Sequence, residues 1–132
     1  FAAESCGEKL ITAEVRGAKS AREAVGAATS FARRNSVAES LKRGRLNPYA
    51  ALEAIGAAGF ASAETANVYL TSETGKICVV YEGKPLFPAT EAQRTVLKGG
   101  NAKILAELGA GNYSASACIF IRRETEQNQV NI

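Results

Sequence analysis

The run Asn67-Val68-Tyr69-Leu70-Thr71-Ser72-Glu73-Thr74-Gly75-Lys76-Ile77-Cys78-Val79-Val80-Tyr81 holds two β-rich segments on either side of Thr74-Gly75. That is the pattern of a hairpin with a tight turn. Pairing across the turn sets Leu70 opposite Val79, Val68 opposite Tyr81 and Thr71 opposite Cys78. Because side chains alternate with a period of two, Val68, Leu70, Ile77, Val79 and Tyr81 share one face, which needs covering. The other face carries Tyr69, Thr71, Cys78 and Val80, and suits either solvent or a partner.

Working outward, the residues before the hairpin read as helices. Ser20 and Glu23 form a capping box ahead of Ala21, Ala24, Val25, Ala28, Phe31 and Ala32, which recur at helical spacing. Ser36 and Glu39 form a second box, with Val37 and Leu41 inward and Gly44 as the stop. Asn47-Pro48 pairs an N-cap with a first-position proline and opens a third helix through Tyr49, Leu52 and Ile55 to Gly59. The first nineteen residues have weak periodicity and fit a short strand or an arm.

After the hairpin, Pro85 and Pro88 end the strand pattern. Thr90 is expected to cap a helix ending at Gly99-Gly100, and Asn101 another through Ile104, Leu105 and Leu108 to Gly109. Tyr113–Ile121 is a further strand, with Ala115, Ala117, Ile119 and Ile121 on one face. The expected fold is therefore α+β, with small-residue helices packed on an antiparallel sheet of about three strands, the 67–81 hairpin plus 113–121. Residues 1–123 form a single domain in this reading, and 124–132 a polar tail. The helix–glycine–strand plan shared by 51–70 and 104–121 is an echo that chance explains equally well in this composition.

Composition excludes more than it proposes. The 132 residues include no His, Trp, Met or Asp, and the net charge is +3. Without His there is no Ser-His or Cys-His dyad and no His-based zinc site, and without Asp no ordinary EF-hand. No run is long enough to span a membrane. A chain that begins at Phe1 and lacks methionine reads as a processed or partial species. The glycine pairs at 99–100 and 109/111 lack the preceding strand of a phosphate loop and read as helix caps. Ser36 follows two arginines in the manner of a kinase site, but its capping role accounts for it. Asn112-Tyr113-Ser114 matches a glycosylation acceptor, which matters only in a secreted chain.

Two residue sets remain as candidate sites. Arg33, Arg34, Lys42, Arg43 and Arg45 are the one local charge excess, opposed nearby only by Glu39, and suit an acidic partner or nucleic acid. Cys6, Cys78 and Cys118 lie far apart and form no disulfide or metal pattern. Cys6 stands beside Glu4 and Glu8, and Cys78 and Cys118 sit mid-strand among apolar neighbours. Those settings disfavour the thiolate, so no catalytic thiol and no enzyme is expected. A cysteine used only as an attachment point needs access alone.

In its Ala-rich, His-free texture, its three separated cysteines and its Lys42-Arg43-Gly44-Arg45 segment, the chain resembles the linker polypeptides of phycobilisomes, and most of all the γ subunits of red-algal phycoerythrin. The resemblance implies a non-catalytic linker of a light-harvesting assembly in a plastid. It implies acidic protein subunits facing the basic cluster, and a bilin thioether-linked at Cys6, Cys78 or Cys118. The alternative expectation is a small basic nucleic-acid-binding protein of ribosomal type.

Overall fold

The computed structural model describes residues 8–58 and 63–122. In chain order the elements are β1 (Glu8–Ala18), α1 (Ala21–Arg33), α2 (Asn35–Lys42), α3 (Pro48–Ala57), a 3-10 turn (Ala63–Thr65), β2 (Asn67–Ser72), β3 (Gly75–Tyr81), β4 (Lys84–Pro85), α4 (Thr90–Lys98), β5 (Lys103–Glu107) and β6 (Tyr113–Arg122). The strands form one six-stranded sheet in the order β4-β3-β2-β5-β1-β6. β1 and β5 run parallel, and every other neighbouring pair is antiparallel. The architecture is α+β with four helices and a mixed sheet among the described residues, which corrects the expected three-stranded antiparallel sheet.

The strands beyond the expected three are β1, β4 and β5, of which β1 falls in the first nineteen residues, read as a short strand or an arm. β1 alternates cleanly once phased on Ile11, Ala13 and Val15, which are buried, with Thr12, Glu14 and Arg16 between them. β5 replaces the helix expected after Asn101. Its Ile104, Leu105 and Ala106 are all buried, and a short continuous apolar run serves a central strand as readily as a helix. Asn101 is no helix cap. It takes a positive φ of 56° in a turn tied to the β2–β3 hairpin, where Glu73 N–H donates to Gly100 O at 2.9 Å and Asn101 Nδ2 donates to Glu73 Oε2 at 2.7 Å.

The 67–81 hairpin is present, with a shifted register. The turn residues are Glu73 and Thr74, so Leu70 pairs with Ile77, Tyr69 with Cys78 and Thr71 with Lys76. The register slips between Val68 and Tyr69, and Val68 then pairs with Val80. This irregularity leaves both Val79 and Val80 buried and turns Tyr81 outward at 53% exposure, reversing the face expected for Val80 and Tyr81.

Helix starts divide by whether the cap is used. Ser20 Oγ accepts from Glu23 N–H at 3.2 Å, and Asn47 Oδ1 accepts from Tyr49 N–H at 2.9 Å, as the sequence pattern requires. α2 instead begins one residue before Ser36, with Arg34 as N-cap and no side-chain cap, and α4 starts after Ala89 rather than being capped by Thr90. Gly59, the expected stop of α3, and the tail 124–132 lie outside the described residues.

All four helices cover one face of the sheet. α1 packs on β1 and β6, α2 on β6, α4 on β2 and β3, and α3 on α1 and β3. Small residues allow the close approach: Ala24, Ala27 and Ala28 of α1 and Ala50, Ala51 and Ala54 of α3 are all buried, and Ser30 Oγ donates to Ala54 O at 2.6 Å. Phe31, fully buried, is the buried aromatic of that layer among the described residues, Tyr49 of α3 being exposed. A glycine is required at the register irregularity of β1 between Val15 and Ala18: Gly17 has φ 79°, a Cβ there would sit 2.8 Å from Gly109 N, and its carbonyl accepts from Ala110 and Gly111 N–H at 2.7 and 2.8 Å.

Candidate functional site: the bare sheet face and two helix-side grooves

The sheet face opposite the helices carries no element of the described chain. Strand register lays its side chains out in rows. One runs Cys78, Tyr69, Leu105, Glu14, Ser116, and the next Lys76, Thr71, Lys103, Thr12, Cys118. Leu10 and Phe120 pair at the far end and are 45% and 63% exposed. Together with Asn101, Ser114 and Ser116 they rim a groove of about 780 Å³.

Glu14 is the electrostatic centre of that face. Lys103 Nζ donates to its Oε1 at 2.8 Å and Arg16 Nε to its Oε2 at 2.6 Å. The Lys103 hydrogen bond, reinforced by Arg16, holds the carboxyl below the usual carboxylate range in spite of partial burial. A carboxylate clamped between two cations is a poor general base, so this network ties β1 to β5 instead of moving protons. Across β2, Lys76 Nζ lies 4.3 Å from the centre of the Tyr69 ring, and burial pushes the Tyr69 hydroxyl pKa up.

Of the three cysteines, the two that are described, Cys78 and Cys118, are not brought together. Cys6 lies outside the described residues. Cys78, on β3, is half-buried, and its Sγ donates to Val80 O at 3.2 Å. Burial raises its thiol pKa, the direction expected from its apolar neighbours. Cys118 is exposed on the edge strand β6, not buried as its apolar neighbours suggested, and three strands separate it from β3. No cluster of metal-ligating side chains occurs among the described residues.

The basic set is divided as well. Arg33 and Arg34 lie at the α1–α2 joint, beside Ser30 and Asn35. Arg45 borders a groove of about 470 Å³ with Tyr49 and Phe87, whose rings stand 5.8 Å apart. Lys42 and Arg43 face a third groove, of about 310 Å³, where Arg94 and Lys98 of α4 join them. Sequence reading missed Glu14, Lys103, Arg94 and Lys98. The Thr12-Glu14-Arg16 alternation was a usable signal for the first, and nothing local announces the other three.

Helices on one face of a six-stranded mixed sheet whose other face is bare define the class of fold. Within it, the chain is similar to the crystal structure of the arginine biosynthesis bifunctional protein argJ from Bacillus halodurans, with a TM-score of 0.76 and 24% identity over 93% of this chain and 56% of that one. The chain thus spans little more than half the length of that protein's chain. No family model and no curated protein matches the sequence.

At this identity the likeness establishes the fold. It lies with an arginine biosynthesis enzyme, and so overturns the resemblance to phycobilisome linkers and phycoerythrin γ subunits, with the light-harvesting setting attached to it. The non-catalytic linker role, the expectation of no enzyme and the nucleic-acid alternative are corrected by the same finding. The physical reason is that the resemblance rested on composition, which carries no information on strand order. With it goes the plastid location. No helix among the described residues is long and apolar enough to cross a membrane.

Proposed function

We propose that this chain forms part of an enzyme of arginine biosynthesis, built in the manner of the argJ protein of Bacillus halodurans. The observation that carries the reading is the fold likeness, a TM-score of 0.76 over 93% of the chain. A parallel β1–β5 pair flanked on both sides by antiparallel partners is a specific topology.

The bare sheet face supports the reading. Antiparallel sheets can leave one face to water, and single exposed apolar residues are ordinary. Here Leu10 and Phe120 stand together, and Leu105 is 5% exposed between Tyr69 and Glu14, a mixed surface suited to a second layer. The argJ chain has the length for such a layer, since 44% of it lies beyond the match. On this reading the groups that perform the bond chemistry are completed from that layer, and the Glu14 network braces the boundary between the two.

The test is growth of an arginine auxotroph that lacks its own argJ-type gene, supplied with the complete gene that encodes this chain. Growth without arginine is the expected result. Failure of a soluble, well-expressed product to restore growth contradicts the proposal.

A further inference from the structure

Two helix ends meet at the 310 Å³ groove on the helical side. Lys42 ends α2 and Arg43 is its C-cap, while Lys98 ends α4 and Arg94 stands one turn earlier. Beneath these cations lies an apolar floor of Ile11, Leu41, Leu97 and Ile121. Glu39 reaches Lys42 at 3.5 Å, and Arg43, Arg94 and Lys98 have no acidic partner among the described residues.

A cation in the last turn of a helix is favoured by the backbone dipole, which accounts for Lys42, Arg43 and Lys98 one at a time. It accounts neither for their convergence from two helices nor for Arg94, which stands mid-helix. The Arg94 side chain lies across Gly44, where an added Cβ would fall 2.7 Å from its Cγ. The stem is therefore laid over the α2–α3 connection and the guanidinium held at the groove.

We propose that this groove docks an acidic peptide segment of a partner protein, with one apolar side chain on the Ile11–Ile121 floor and carboxylates on Arg43, Arg94 and Lys98. Charge complementarity selects the partner: rim cations with no acidic partner among the described residues favour carboxylates, and arginine takes them in bidentate fashion. The groove volume of about 310 Å³ is at the bottom of the range for small-molecule sites, roughly 300–1,000 Å³, so a shallow segment fits better than an enclosed metabolite. Arg33 and Arg34, at the α1–α2 joint, lie outside this site.

The test is fluorescence anisotropy of a labelled synthetic peptide, glutamates flanking a single leucine, titrated with the whole protein at low and at physiological salt. Saturable binding that weakens with salt is expected. Replacing both Arg94→Gln and Lys98→Gln should weaken it by about tenfold. Arg94→Lys, which keeps the charge but loses the bidentate fork, should fall between the wild type and the Arg94→Gln/Lys98→Gln pair, the Arg33→Gln/Arg34→Gln pair should leave affinity unchanged, and replacing the peptide leucine by serine should cost several-fold. Circular dichroism melts establish that the variants are folded. Absence of binding at low salt overturns the proposal. So does equal loss from the two charge pairs, which would mean diffuse attraction, or preference for a nucleoside triphosphate over the peptide.

Discussion

Glu14 shares one carboxylate between Lys103, 89 positions away on the parallel strand β5, and Arg16 of its own strand. Its folded pKa lies below the ordinary carboxylate value, so its contribution to stability is present above the unfolded pKa and disappears as the pH falls through the folded one. The expected outcome for Glu14→Gln is a loss of stability in denaturant melts at neutral pH that vanishes in strong acid, where the native carboxyl is itself protonated. Salt should shrink the neutral-pH difference, because Arg16 is half exposed. An equal loss at both pH values would show that shape, not charge, is what Glu14 contributes. Cys78 and Cys118 differ at the same scale: in the 132-residue chain on its own, with nothing laid over the bare sheet face, the half-buried thiol with the raised pKa should react with iodoacetamide more slowly than the exposed one, as mass spectrometry of the two peptides would read.

Individual elements show what was readable in the chain and what was not. α1, α3 and the 67–81 hairpin were legible, since each is announced by local grammar that the structure uses: Ser20, Asn47-Pro48 and a turn between two β-rich runs. Ser36 has the same grammar as Ser20 and is not used, because α2 starts a residue earlier behind Arg34. Ser20→Ala should therefore cost about 1 kcal/mol, and Ser36→Ala close to nothing, in urea melts. β5 was not legible. Lys103-Ile-Leu-Ala-Glu107 is composed of good helix formers, and only its place between β2 and β1 makes it extended. The Gly99-Gly100-Asn101 turn ahead of it read as helix punctuation because no local signal distinguishes a cap from a turn packed against a hairpin. At Gly17, where φ is 79° and Gly109 N crowds the missing Cβ, alanine should destabilise by more than the roughly 0.4–1 kcal/mol that the same replacement gains at a site whose backbone suits it.

At the scale of the whole molecule, sheet order was beyond the sequence because β1 finds its partners in β5 and β6, across most of the chain. The basic residues lie in three places, and Cys78 and Cys118 on separate strands. Phe31 anchors the helical layer to this sheet, and Phe31→Ala should cost about 3–5 kcal/mol and unfold the layer and sheet together. The proposed function depends on the opposite face, that of Leu10, Leu105 and Phe120, being covered by a second layer of the same enzyme. Cys118 reports on it, since it is exposed on that face. Its rate of thiol labelling, mapped by mass spectrometry, should be measured in the complete gene product before and after mild unfolding. Protection of Cys118 in the native product, by about tenfold or more relative to the unfolded chain, is the expected result. Labelling of native Cys118 at the unfolded rate would mean that the face is open to water, and would contradict the account.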